Sequence, residues 1–305
     1  MPQMEDRRHQ RAEGLAVAHH AAQSRAADVD AVIGALMPAI LHLRHTLLPE
    51  NRLSRGLGAS GVELADDLQR FVNLVGEKRI AAVFVEPIAG STGVILPPRG
   101  YLERLREICT RYGILLVFDE VICGFGRTGA PFAASTFGVT PDLITMAKAL
   151  TNGAQPMGAV AVHESIYRTI LDAAPGGMPE FFHGYTYSAH PAACAAGLAT
   201  LAIYEREQLF ARSRELSGYF LDAMFALQDL PAVADVRGYG LLAGIEVKAG
   251  KAPGVRGAEL QAKLFDRGLH VKTTGDVAIM APAFIASHAD IDQMAAMLRE
   301  AISDF

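Results

Sequence analysis

Three charged residues follow predicted strands, at the positions from which side chains contact ligands in open α/β sheets. Glu86, Asp119 and Lys148 each come directly after a run of five or six mainly apolar residues. Such runs are typical of buried parallel strands, and ligands bind outside the carboxyl ends of these strands. We therefore expect the three side chains to meet at one edge of a sheet.

An acid and a lysine at neighbouring strand ends are the pair that a pyridoxal phosphate enzyme requires. The lysine forms the Schiff base, and the carboxylate keeps the pyridine nitrogen protonated so that the ring acts as an electron sink. A lysine directly after an apolar strand is also easily withdrawn from water. The competing interpretation is an ordinary ion pair between Asp119 and Lys148 at the rim of the sheet. Within the predicted sheet, only Lys148 follows an apolar run; the chain's other lysines are Lys78, Lys248, Lys251, Lys263 and Lys272.

The elements that must position these residues alternate along the middle of the chain. Helical spacing of apolar residues predicts a helix over 101–112, ended by Gly113. This alternation indicates a mostly parallel sheet covered by helices on both faces. The four predicted strands are 80–85, 114–118, 143–147 and 158–162.

The last third of the chain has a different pattern of predicted elements, typical of a smaller α+β domain. A long helical stretch runs from Pro191 toward Leu227, and a strand over 238–247 is approached through a glycine turn. The remaining predicted elements are a helix over 259–267, a short strand over 277–281 and an amphipathic helix over 291–302.

Bulk composition excludes several classes of protein. The net charge is −5, so no basic surface for nucleic acid is expected. The three cysteines lie far apart, which indicates a reducing compartment rather than a disulfide framework. No apolar run is long enough for a membrane span. We expect a cytoplasmic protein with neither a nucleic-acid nor a membrane partner.

Four motifs in order identify a resemblance to a known family. They are VEPIAGSTGVILPPRGYLERLREIC, GILLVFDEVICGFGRTG, FGVTPDLITMAKALTNGAQPMGAV and HGYTYSAHPAACAAGL. The sequence resembles a class III pyridoxal-phosphate-dependent aminotransferase, and within that class the ω-amino acid:pyruvate (β-alanine:pyruvate) branch. The resemblance implies the type I transferase fold of this cofactor family and a homodimer in which both subunits build each active site.

The resemblance also implies roles for individual residues. Lys148 matches the Schiff-base lysine, Asp119 the acid at the pyridine nitrogen, and Val121 the residue packed against the cofactor ring. Thr186 matches the threonine that reaches the cofactor phosphate of the other subunit, and Glu86 matches a glutamate near the cofactor.

Four further residues of these motifs have structural interpretations. Arg127 in GFGRTG is expected to brace the loop after Asp119. His183 and His190 are interpreted as structural, and Pro191 fits the first position of a helix.

The sequence departs from the family pattern in two places. Residues 1–33 have no counterpart in the resemblance, and the phosphate-binding turn and the stacking aromatic of the family's N-terminal third are not recognisable. We interpret 1–33 as an arm, 34–200 as part of the large domain and 201–305 as the small domain. Lys272 stands where this branch carries an arginine for the substrate carboxylate, and a lysine offers a point charge rather than a planar fork.

The leading hypothesis is transfer of an amino group from an ω-amino acid or amine to a 2-oxo acid such as pyruvate. Lys272 would bind the carboxylate of the donor; the competing interpretation is a solvated surface lysine. Two alternatives to transamination stay open. One is another reaction of the same fold, such as a racemase or a mutase. The other is a non-catalytic remnant of an aminotransferase that has lost the phosphate-binding segment.

Overall fold

A computed structural model describes residues 16–17, 40–176 and 184–305 of the chain. These residues form two sheets with helices packed around them. The first sheet has the order β1-β2-β3-β4-β5. Its strands are β1 (Ala16–Val17), β2 (Ala82–Val85), β3 (Leu115–Asp119), β4 (Leu143–Met146) and β5 (Ala159–Val162).

Strands β1 to β4 are parallel, and β5 pairs with β4 in the antiparallel direction. The four strands predicted from apolar runs are therefore present, each within two residues of its predicted bounds. The resulting mostly parallel sheet confirms the predicted α/β class.

Helices α1 (Asp66–Val75) and α2 (Tyr101–Tyr112) pack against this sheet. Helix α2 ends as predicted at Gly113, whose φ of 65° lies in the left-handed region and whose N–H donates to the carbonyl of Cys109. The core between them contains the fully buried side chains of Leu105, Ile108, Leu116 and Phe118.

Other elements around the first sheet are shorter or less buried. Helix α3 (Ala133–Phe137) is short, and α4 (Glu164–Ala173) contains no buried residue. Strand β4 is only partly buried, and β5 is largely exposed. Helix α5 (Pro191–Arg206) begins at the proline predicted for its first position and has few buried residues.

The long predicted helical stretch is two helices. After α5 the chain turns at Gln208, whose φ is 50°, and α6 (Leu209–Phe225) follows. The predicted strand over 238–247 is a hairpin, because Gly240 at φ 60° turns β6 (Val233–Tyr239) into β7 (Leu242–Val247).

The second sheet is antiparallel, with the order β6-β7-β9-β8. Its short strands are β8 (Lys272–Thr274) and β9 (Val277–Met280). Helix α6 packs against it together with α7 (Val255–Asp266) and α8 (His288–Ser303), which begins with a capping box formed by Ser287 and Asp290. The division of the chain at residues 33 and 200 stays a prediction. No helix in the described ranges is long and apolar enough to cross a membrane.

Candidate active site

The carboxyl ends of β2, β3 and β4 lie side by side. Val85 pairs with Phe118, and Asp119 pairs with Thr145, so the residues that follow these strands emerge at the same edge. Glu86, Asp119 and Lys148 are thus brought together as the sequence predicts. Their charges act on one another, because Asp119 raises the pKa of Glu86 and Lys148 lowers it.

A cavity of about 510 Å³ opens at this edge. Val121, Lys148 and Lys272 line it, so three of the residues singled out in the sequence face a common space. The volume is typical of a pocket for a small molecule. The other lining residues come from both sheets and their loops: Gly90, Ser91, Ile122, Gly124, Arg127, Ala149, Asn152, Gly153, Leu242, Ile279 and Ala281.

Lys148 lies at the start of a tight turn rather than in a buried pocket. Its backbone φ is 44°, a left-handed conformation that residues other than glycine seldom adopt. The residue is exposed, so the expectation that it is withdrawn from water is wrong for this structure. The reason is local, because β4, which carries it, is itself only partly buried and the cavity is open.

Tyr204 of α5 supports the Lys148 turn from behind. Its hydroxyl donates to the carbonyl of Ala149 at 2.7 Å and accepts from Nδ2 of Asn152 at 3.0 Å. Both partners line the cavity beside Lys148. These two bonds tie the strained turn to α5, and neither was visible in the sequence.

Asp119 is fixed by a short local bond. Its Oδ1 accepts from the backbone N–H of Val121 at 3.0 Å, which orients the carboxylate. The side chain of Val121 faces the cavity. The roles that the resemblance implies for Asp119 and Val121 stay predictions.

Glu86 is partly buried, and its Oε2 accepts from the N–H of Gly90 at 3.1 Å. Burial raises the pKa of Glu86 to about 7, and Asp119 adds to this. The Gly90 bond and the charges of Lys148 and Lys272 oppose the rise in this pKa.

Gly90 belongs to a segment, residues 89–95, that we call the cavity turn. Ala89 and Ile95 exchange backbone hydrogen bonds across its base. Gly90 and Ser91 line the cavity, so the turn forms one of its walls.

Arg127 joins the loop after Asp119 to the second sheet. Its Nη1 donates to the carbonyls of Leu241 and Pro282 at 2.9 and 2.7 Å, and the guanidinium lies 4.7 Å from the ring centre of Phe284. Burial lowers its pKa to about 10. These contacts support the expected bracing role.

The cross-subunit candidate lies elsewhere. Thr186 is exposed in a turn between Tyr185 and Tyr187 and does not line the cavity. His190 immediately precedes α5, and its backbone carbonyl accepts from the N–H of Cys194; the structural interpretation of its side chain stays a prediction. His183 lies outside the described residues. Lys272 is exposed at the start of β8 and lines the cavity from the second sheet.

One protein-family model matches the chain over most of its length. A family model described as "Aminotransferase class-III" matches residues 17–302. The chain belongs to the class III aminotransferases. The match begins inside the segment 1–33, for which the resemblance offered no counterpart.

Curated class III relatives place the chain within the family. An "Omega-aminotransferase" of Caulobacter vibrioides is 54% identical over 271 residues, which cover 88% of this chain and 62% of that protein. An "Omega-amino acid--pyruvate aminotransferase" of Pseudomonas putida is 46% identical over 267 residues, which cover 86% of this chain and 59% of that protein. The chain thus spans less than two thirds of the length of these relatives. They confirm the predicted resemblance to the ω-amino acid:pyruvate branch.

Solved transaminases share the fold. A structure described as "Transaminase with L-ala" superposes with a TM-score of 0.82 at 30% identity and covers 99% of this chain and 76% of its own. The ω-transaminase from Pseudomonas jessenii in complex with PMP has a TM-score of 0.83 at 27% identity, with 99% and 70% coverage. These matches confirm the type I fold.

Class III aminotransferases depend on pyridoxal phosphate, the cofactor predicted from the sequence. The described residues fit two parts of it, since Lys148 lines a cavity of suitable size and the carboxylate of Asp119 accepts from the N–H of Val121, which lines the same cavity. The cavity turn is a poor phosphate site. Its Gly90 N–H is bonded to Glu86, and the N–H groups of Gly93 and Val94 both donate to the Gly90 carbonyl. Within the described residues, no cluster of ligating side chains could hold a metal ion.

Proposed function

We propose that this chain performs the pyridoxal-phosphate-dependent transfer of an amino group from an ω-amino acid or amine to a 2-oxo acid such as pyruvate. One observation carries the proposal: in a chain of the class III family, Lys148 lines a cavity and follows the strand next to the one that ends at Asp119. The 54% identity to an omega-aminotransferase supports the choice of this reaction.

Lys148 is the catalytic residue of the proposal. Its amine would hold the cofactor covalently, and as a free amine it would be the general base that takes the proton from the amino-bearing carbon of the donor. The bound cofactor supplies an electron sink for the charge left on that carbon. The exposure of Lys148 on the open cavity leaves its amine accessible to an incoming donor.

Asp119 is proposed to hold a proton on the pyridine nitrogen, with its carboxylate oriented by the Val121 N–H. Val121 is proposed to pack against the ring, and Glu86 to lie beside the cofactor. Thr186 is proposed to bind the cofactor phosphate of a second subunit, which its exposure permits.

Lys272 is proposed to bind the carboxylate of the amino donor. It lines the same cavity as Lys148 but comes from the other sheet, so a substrate could span the two. A lysine lacks the bidentate fork of an arginine, and we expect weaker discrimination between carboxylate donors and simple amines.

We further propose a cytoplasmic homodimer. The free thiols of Cys109, Cys123 and Cys194 suit a reducing compartment. Exposed apolar side chains on β5 and α5 suit a subunit interface.

The test is the absorption spectrum of the purified chain with added pyridoxal phosphate, beside Lys148→Ala. We expect a band of covalently held cofactor in the parent that fades when β-alanine is added and is absent in the variant. Lys248→Ala is the matched control, because Lys248 is exposed and does not line the cavity.

Two outcomes would contradict the proposal. No band in the parent or in Lys148→Ala would favour the non-catalytic remnant. A band without formation of the oxo product of β-alanine and of alanine from pyruvate would favour a racemase or mutase.

A further inference from the structure

The backbone of the cavity turn is strained. Gly93 has a φ of 107° and Val94 a φ of 59°. The left-handed region is costly for a β-branched residue such as valine, so it persists only where the surrounding structure fixes it. The contacts around this turn must therefore hold its backbone in this unfavourable conformation.

Three hydrogen bonds anchor the cavity turn from outside its own backbone. The carboxylate of Glu86, at the end of β2 in the first sheet, accepts from the N–H of Gly90. The other two come from the second sheet. The hydroxyl of Thr274 donates to the carbonyl of Ser91, and Nε of Arg237 donates to the carbonyl of Gly93, both at 2.8 Å.

Arg237 is itself fixed by buried charge. It is 5% exposed, and its Nη1 donates at 2.7 Å to Asp235 and to Glu246. The other oxygen of Asp235 accepts from the N–H of Leu53 at 2.6 Å. A buried guanidinium with these partners has little freedom, so its bond to Gly93 is a rigid link.

Strand β7 lies directly against the same turn. A Cβ placed on Gly244 would stand 2.7 Å from the carbonyl oxygen of Gly93, which is closer than real Cβ contacts. The turn and the second sheet thus meet at van der Waals contact, with no space for the turn to shift toward β7.

The alternation of side chains along β8 connects this anchor to Lys272. Residues two apart on a strand point to the same face, so Lys272 and Thr274 share a face, and Thr273 points to the other. The contacts agree, because Thr274 bonds the cavity turn whereas the hydroxyl of Thr273 donates to Gln261 of α7 at 2.8 Å.

We propose that Thr274 of β8 and Arg237 of β6 are positioning residues that lock the cavity turn to the second sheet. They set the placement of Lys272 relative to the cavity wall formed by Gly90 and Ser91. Neither residue lines the cavity, so both act through the groups that they hold. For its catalytic consequence, the inference rests on the transamination proposed above.

The first experiment measures amide hydrogen exchange of the chain by mass spectrometry and needs no cofactor. In Thr274→Val, exchange in peptides covering 89–95 should be about 2- to 10-fold faster, the effect of losing one hydrogen bond. Thr274→Ser keeps the hydroxyl and should restore parent rates. Thr273→Val is the matched control: it loses a hydroxyl from the same strand but should leave these peptides unchanged.

A second variant tests the other anchor. Arg237→Lys keeps a positive charge but cannot reach all three acceptors with a fork. It should accelerate exchange at 89–95 as well. Thermal melting of each variant shows whether the chain is still folded. Equal exchange in Thr274→Val and Thr273→Val, with both folded, would overturn the inference.

The kinetic experiment separates positioning from general support. In Thr274→Val, KM for β-alanine should rise about 2- to 10-fold, again the effect of one hydrogen bond, with kcat nearly unchanged. KM for an amine without a carboxylate, such as propylamine, should not change. Equal losses for both donors would show a merely structural role. An inactive parent chain would refute the proposed function, while the exchange experiment would still decide whether the turn is locked.

Discussion

Two carboxyl groups beside Asp119 have unusual acidities. Burial raises the pKa of both Glu86 and Glu120 to about 7, and the charge of Asp119 contributes to each. Glu120 accepts from the N–H groups of Ala133 and Ala134 at 2.6 and 2.8 Å, which favours its ionised form and opposes the burial effect. Both groups would change charge near neutral pH.

The elevated pKa of Glu86 predicts a pH dependence of stability. In the unfolded chain its carboxyl loses its proton near pH 4.5, whereas the folded chain retains it to about pH 7. The folded state therefore binds more protons in this window, and the free energy of unfolding falls as pH rises through it. Glu86→Gln should remove about 2 kcal/mol of this fall.

Urea unfolding at intervals from pH 5 to 7 measures this effect. Glu63→Gln is the control, because Glu63 is exposed at the surface of the chain. An unchanged slope in Glu86→Gln would show that Glu86 ionises at its ordinary pKa in the folded chain.

The sequence predicts some site residues well because their signal is local. Asp119 and Lys148 each follow an apolar strand, and the parallel order of these strands brings them together. The partners of the cavity turn carry no such signal. Thr274 and Ser91 are 183 residues apart, and only the packing of the two sheets joins them.

At the scale of elements, the Lys148 turn depends on α5. The Tyr204 hydroxyl satisfies the Ala149 carbonyl and the Asn152 amide at once. Tyr204 also packs against Phe125 and Phe210, so its ring is fixed independently of its hydroxyl.

Tyr204→Phe should therefore destabilise the chain by about 1–2 kcal/mol, because it removes both bonds and leaves the packing intact. Tyr219→Phe is the matched control, since the Tyr219 hydroxyl bonds to the exposed Asp292. We expect that variant to change stability by less than about 0.5 kcal/mol. Chemical denaturation compares the two, and similar losses would contradict a special role for Tyr204.

Some elements could not be predicted from the sequence, because their residues lack the apolar pattern or the turn residues that mark an element. Strand β6 contains Asp235 and Arg237, and buried ions break the apolar run by which the other strands were found. Strand β8 has three residues, all hydrophilic or exposed in part. The break between α5 and α6 falls at Gln208, with no glycine or proline to mark it.

At the scale of the whole molecule, β5, α4 and α5 present apolar side chains to solvent. We call this the outer face; its members are Val160 and Val162 of β5, Tyr167 of α4, and Leu198 and Leu201 of α5. Helix α5 and β5 are neighbours, because a Cβ placed on Gly197 would stand 3.3 Å from the sulfur of Met157, just before β5. An exposed edge strand beside such a surface favours association.

Leu198, which is 69% exposed, gives a direct test. Leu198→Glu places a charge on the outer face and should weaken self-association at least about 10-fold, measured by analytical ultracentrifugation. Leu74→Glu is the control, because Leu74 is 77% exposed but lies on α1, which packs against α2. A parent chain that stays monomeric at all concentrations would rule out the outer face as an interface.

Helix α5 has two sides with different neighbours. Tyr204 lies in the buried stripe of the helix and bonds the turn that begins at Lys148, while Leu198 lies outside that stripe, on the outer side, and is exposed. Whatever covers the outer side also restrains the helix that holds the lysine. By thermodynamic reciprocity, occupancy of the cavity should then strengthen association, and association should raise the affinity for the cofactor. Assembly and cofactor binding would then be linked equilibria. The apparent affinity for the cofactor would rise with protein concentration, and the dimer would dissociate less readily when the cofactor is present.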